Sequence, residues 1–190
     1  MISVMLHNIS SMRSGQIALD DAFGRADLDL ARKALLEAES TANYDWGTGV
    51  ASLSALVPLI RAQFLMVLGR FDAAAQLFDG YLDRARQEGL AYREPRLLAD
   101  RAWCHVRLGH VAEALADARA AEAGVRQQQD PDDRAATYAR LATIHRHGGR
   151  DAVAAALQQR ADEALAEHQA SQAATKRALN QVAAGALDLE

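Results

Sequence analysis

His105 and His145 stand forty residues apart, and with His110 and His147 nearby they are the first residues in this chain to weigh for chemistry. Imidazoles at a fixed spacing can hold zinc, but such sites also need further ligands and carboxylates that orient the rings. No carboxylate-rich cluster accompanies these histidines at fixed spacing. A position repeated after forty residues is better read as one packing solution used twice, so no metal site is expected. Cys104, the only cysteine, follows Trp103. A nucleophilic thiol needs an adjacent base. On a helix the side chain of His105 points elsewhere, so Cys104 is expected as a buried apolar residue. The chain has no phosphate-cradling Gly-Lys-Ser/Thr loop, Gly-x-Ser-x-Gly elbow, dinucleotide fingerprint or His-Glu-x-x-His motif. The expectation is a protein that is not an enzyme, with no catalytic residue and no cofactor.

The elements that position these residues are helical. Apolar side chains recur at spacings of three and four, as in Leu97, Leu98, Ala102, Cys104, His105 and Leu108, and no sustained period-two alternation is present. Breaks fall at Gly24-Arg25, around Gly47, at Gly69, from Gly89 to Pro95, at Gly109, at Asp130-Pro131 and at Gly148-Gly149. They predict helices over 10–23, 27–42, 51–68, 71–88, 94–108, 110–127, 131–147 and 150–186. Glu94-Pro95 and Asp130-Pro131 are good helix starts, with proline in the first turn and carboxylates at the positive end of the helix dipole. Pro58 either lies in the first turn of a helix that starts near Leu56 or kinks a longer helix from Val50, and the helix-like VASLSALV ahead of it favours the kink. The last helix outruns any partner, because after His168 only a thin stripe through Ala174, Leu179 and Val182 is apolar.

Half of the 190 residues are apolar but only 5% are aromatic, and alanine dominates, which suits an all-α domain of closely packed helices. A formal net charge of −4 gives no general attraction to nucleic acid or to an anionic membrane. The single cysteine excludes an intrachain disulfide framework, no export signal is read in the first twenty residues, and the apolar runs are too short to span a bilayer. A cytoplasmic protein is the expectation.

The phrase LGRFDAAAQL at Leu68 returns as LGHVAEALAD at Leu108, and GGRDAVAAAL places Gly149 forty residues beyond Gly109. Paired helices with a period of 34 to 47 residues mark an α-solenoid. Gly109 has Ala102 seven before it, Ala114 five after and Ala121 twelve after; Gly149 has Ala142, Ala154 and Ala161; Gly69 has Ala62 and Ala74, with Tyr81 at the third place. This pattern resembles the tetratricopeptide repeat, in the forty-residue form seen in bacterial regulatory and signalling proteins. The family's leucine eight before glycine is Leu141 in the last repeat, but Arg61 and Arg101 occupy that place in the other two. A degenerate first repeat around Ala31 and Ala38 puts Ala26 where the glycine belongs. The expected organisation is a single domain spanning 1–190: a degenerate repeat over 10–45, repeats over 50–90, 93–128 and 131–165, and a helical tail over 166–190.

The resemblance implies a right-handed α-solenoid of about four helical hairpins, whose first helices line a concave groove that binds a protein segment. Carried over by offset from each glycine, the groove residues are Gln63 and Met66, then Arg96, Trp103 and Arg107, then Arg140, Thr143, Arg146 and His147. The expected function is an adaptor or the sensory part of a regulator, with a protein or peptide partner carrying acidic residues that arginine forks can recognise. Two other readings stay open: a solenoid that binds RNA or nucleotides through the arginine stripe, although nucleic acid is disfavoured by the net charge, and a homo-oligomerisation module using the apolar Leu59–Val67 face. No membrane partner is expected.

Overall fold

The computed structural model describes residues 15–41, 51–128 and 130–187. Expectations that fall outside these residues include the start of the first helix at residue 10, the break around Gly47 and the helix start at Val50.

The fold is all-α, with no strand among the described residues. Helix α1 is described over 15–22. It is followed by α2 (Leu28–Thr41), α3 (Ala51–Val67), α4 (Phe71–Ala85), α5 (Glu94–Leu108), α6 (Val111–Gly124), α7 (Pro131–His147) and α8 (Asp151–Leu187). Pro58 lies inside α3. A π-helical turn over Arg86–Leu90 and a short 3₁₀ turn over Ala91–Arg93 lead from α4 to α5, and Val125–Gln127 forms a second 3₁₀ turn after α6. Pro95 and Pro131 occupy the first turns of α5 and α7, where the missing N–H would have had no intrahelical partner.

Four turns share one construction. Gly24, Gly69, Gly109 and Gly149 have φ of 69°, 76°, 79° and 71°, the left-handed region that glycine enters without steric penalty. In each, the N–H of the next residue reaches back five positions: Arg25 to Asp20 O at 2.7 Å, Arg70 to Leu65 O at 2.8 Å, His110 to His105 O at 2.9 Å and Arg150 to His145 O at 2.9 Å. This bond closes the outgoing helix and satisfies one of its orphan carbonyls. In the last three turns the same residue then opens the next helix, its carbonyl accepting from Ala74, Ala114 and Ala154. The first turn is two residues longer: Asp27 opens α2, and its carboxylate accepts from the N–H groups of Asp29 and Leu30, both at 3.0 Å. The turn glycine of the first pair is therefore Gly24, which corrects the placement of Ala26 at that position.

Within the pairs, α3 packs on α4, α5 on α6 and α7 on α8. Between them α5 touches both α3 and α7, and α2 packs on α3. The small residues at the crossings, Ala62, Ala74, Ala102, Ala114, Ala121, Ala142, Ala154 and Ala161, are all buried. Side chains this small let helix axes approach closely, and dispersion then acts over many short contacts.

The departures from the leucine position also have a physical reason. Arg101 reaches Asp79 on α4 at 3.0 Å, and Arg61 reaches Glu39 on α2 at 3.7 Å. Asp79 and Glu39 are themselves forty residues apart, so each arginine meets a carboxylate on the second helix of the preceding pair. At the next step that carboxylate position is Arg119, and the facing residue is Leu141, fully buried.

Helix α8 buries Ala154, Leu157, Ala161 and Ala164. From residue 169 to residue 182 every side chain is exposed, Leu179 and Val182 included. No helix among the described residues is long and apolar enough to cross a membrane.

Candidate functional site

Helices α5 and α7 bond to α1, and α3 lines a cavity together with it. That contact is polar as well as apolar. Ile17, Ala18, Leu19 and Ala22 of α1 are buried, while two of its polar groups reach arginines on different helices. The Gly15 carbonyl accepts from Arg96 on α5 at 3.0 Å, and the Asp21 carboxylate accepts from Arg140 on α7 at 2.5 Å.

A rail of side chains runs beneath α1 and joins all four helices. Gln63 on α3 donates to one oxygen of Asp100 at 3.0 Å, Arg140 donates to the other at 3.2 Å, and Arg140 also donates to Asp21. One turn earlier on α5, Arg96 is bonded to Asp133 of α7. Gln63, Arg96, Asp100, Asp133 and Arg140 are all buried. Burial works against the charge of Arg96, but Asp133 and Asp100 outweigh it and hold the guanidinium above its ordinary value. At Arg140 burial is opposed in the same way by Asp100 and Asp21. The Nε of Arg96 has no hydrogen-bond partner among the described residues, so α1 satisfies this guanidinium only in part.

Beside the C-terminal end of α1 lies a cavity of about 400 Å³, bordered by Asp21, Met66, Trp103, Arg107, Arg140 and Thr143 among others. Trp103 is half-buried and Arg107 is exposed. The Arg107 guanidinium sits over the Phe71 ring at 4.5 Å and the Trp103 ring at 5.4 Å, while the His147 and Trp103 rings meet edge-on with their centroids 6.1 Å apart. Arginine held between aromatic faces keeps its fork available for a carboxylate.

The nine residues expected to form a groove thus divide. Met66, Trp103, Arg107, Arg140 and Thr143 border one cavity, and the ring of His147 touches Trp103. Gln63 and Arg96 lie in the buried floor, bonded to Asp100 and Asp133. Arg146 is exposed and is not among the residues bordering the cavity. Of the arginines expected to form a cationic stripe, Arg96 and Arg140 are consumed in buried ion pairs, and the apolar Leu59–Val67 face offered for self-association is buried within the chain.

No spacing in the sequence marks Asp21 and Asp133 as partners of the two arginines. The pairing of Arg140 with Asp100 did carry a signal: both stand nine residues before a turn glycine, so opposite charges occupy equivalent positions in neighbouring pairs.

The histidines face α6. His105 lies with its Nε2 3.9 Å from Asp117 and its Nδ1 3.4 Å from Nδ1 of His110, and His145 contacts Glu122 at 2.5 Å. Among the described residues, no three His, Cys, Asp or Glu side chains come together to hold a metal. Cys104 is buried, and burial together with Asp100 pushes its thiol up to about 12, which suppresses thiolate at neutral pH. Comparison with known proteins finds no matching family model, no matching curated protein and no matching solved structure.

Proposed function

We propose that the chain is a protein–protein interaction module, an adaptor or the sensory part of a regulator, that binds a protein segment against α3, α5 and α7. In this reading the helix pairs form a right-handed α-solenoid of the tetratricopeptide type, and no reaction is assigned to it. A cytoplasmic setting belongs to the same proposal. The observation that supports it most is the exposed Arg107 guanidinium over Phe71 and Trp103 at the mouth of a cavity that also reaches Met66 and Arg140. An aromatic anchor beside an arginine fork is the combination that most often concentrates binding energy at interfaces. It suits an apolar side chain followed by a carboxylate.

The test is selection of peptides from a random library against the full chain. Enriched sequences should carry an apolar residue near Asp or Glu, and Trp103→Ala should weaken their binding by about 2 kcal/mol. Arg107→Ala should lower affinity and flatten its dependence on salt, because the lost contact is charge-assisted and lies in solvent. Enrichment that is indifferent to both substitutions contradicts the site.

A further inference from the structure

We propose that α1 is an exchangeable occupant of the α3–α5–α7 floor, and that the segment this floor recognises is an amphipathic helix that offers Arg140 a carboxylate in place of Asp21. The proposal rests on the segment-binding reading above and names the kind of segment.

Three observations carry it. The floor under α1 is built of Gln63, Arg96, Asp100 and Arg140, whereas inside the hairpins alanine sets the close crossings and the ion pairs Arg101–Asp117 and Arg134–Glu167 each keep a part-exposed partner. A surface whose sole task is to bury one helix for good gains little from ion pairs, because desolvation offsets most of their attraction. A surface that alternates between occupants keeps polar groups that direct and align whatever lies on it. Next, α1 completes the floor only partly: it supplies one carboxylate and one carbonyl, leaves Arg96 Nε without a partner among the described residues, and borders the cavity at Trp103 and Arg107 without filling it. A helix bearing a longer side chain or a second carboxylate there would make contacts that α1 does not. Finally, α1 joins α2 through Gly24 and residues 25–27, outside either helix, so it can leave the floor without unwinding the α3–α8 pairs.

Charge and shape of the occupant follow from α1 itself. Ile17 and Leu19 are its large buried apolar residues, and Asp21 follows them. The ligand is therefore a helix with apolar residues ahead of an acidic one, the same order the cavity favours.

The single cysteine reports the exchange. Cys104 is fully buried on α5, and Asp100, Arg140 and Asp21 are close enough to act on its charge. Alkylation of Cys104 by iodoacetamide is measured in the full chain, in Asp21→Arg, which sets a cation against Arg140, and in the milder Asp21→Asn, which carries the test should Asp21→Arg fail to fold. Binding of a labelled peptide spanning residues 13–25 is measured on the same proteins. The tethered α1 competes at a millimolar effective concentration, so the peptide should bind Asp21→Arg about tenfold or more tighter than the unaltered chain. Cys104 should react correspondingly faster in that variant and be protected again by the peptide, and the peptide carrying Arg for Asp21 should do neither. Thiol protection that is unchanged in both variants, with no peptide bound, overturns the proposal and makes α1 a fixed part of the core. Loss of helical circular dichroism in both variants overturns it equally. If peptides from the library bind in a Trp103-dependent way while Cys104 stays protected, the segment-binding reading stands and the exchange fails.

Discussion

The crossings inside the hairpins and the seat of α1 differ in what lies at their most buried contacts: alanine in the first, arginine and carboxylate in the second. Where α5 meets α6 and α7 meets α8, buried alanines set the spacing, and the pairing follows directly from a glycine turn between neighbours in sequence. Where α1 meets α5 and α7, the contact rests on Asp21–Arg140 and Gly15–Arg96, pairs separated by 119 and 81 residues. The first kind of contact is short-range and apolar where the axes come closest, with the ion pairs Arg101–Asp117 and Arg134–Glu167 each keeping a part-exposed partner. The second is long-range, polar and dependent on charge balance. A body that must stay folded while one helix comes and goes would divide its contacts in this way.

The largest effect should come from breaking the floor itself. Asp133→Ala leaves the Arg96 guanidinium buried without its ion partner, and removing one member of a buried pair typically costs about 3–5 kcal/mol. Denaturant unfolding of the full chain should register that loss. A change below roughly 1 kcal/mol would mean water reaches Arg96 and the floor is not sealed.

Next come the crossings. Ala114→Leu or Ala154→Leu forces extra methylenes into close contacts and should destabilise by about 1–3 kcal/mol, while Ala166→Leu on the exposed side of α8 should leave unfolding unchanged. Equal effects at all three positions would refute the alanine register.

The glycine turns sharpen the contrast. Gly109→Ala places a side chain at φ 79° and should cost about 1–2 kcal/mol of global stability. Gly24→Ala meets the same local strain at φ 69°, yet it should speed the opening of α1 and barely move the global unfolding midpoint. Identical loss of global stability in both would tie α1 to the body.

The smallest effect belongs to the tail: a chain ending after Gln172 should keep its unfolding free energy within about 0.5 kcal/mol, since the side chains described beyond that point are exposed.

Much of the helical layout was legible because it is local. Gly69, Gly109 and Gly149 mark turns whose geometry is fixed within six residues, and Pro95 and Pro131 mark helix starts, so α3 to α8 fall within a few residues of the predicted ranges. In the first pair the alanine spacing points to Ala26, whereas the turn, two residues longer than the others, is closed at Gly24 where the break in the sequence falls. The departures Arg61 and Arg101 are explained only by the carboxylates of Glu39 and Asp79 on the preceding pair, contacts that the repeat spacing does not show. The groove arginines posed the harder problem. Residue type and offset put Arg96 and Arg140 on one face, but no local pattern says that Asp21, 119 residues from Arg140, will come to lie against it. Contacts of that separation depend on how the whole array brings its first helix back, and a repeat pattern carries no such information.

The most direct test of the division is amide hydrogen exchange of the unaltered chain, read segment by segment. Amides of α1 should exchange through a local opening at least about 2 kcal/mol below the free energy that governs α5 and α7, with Ala102 and Ala142 among the most protected. If α1 instead exchanges at the same free energy as α5 and α7, it opens only when the whole body unfolds, and the claim that it is a separable occupant is contradicted.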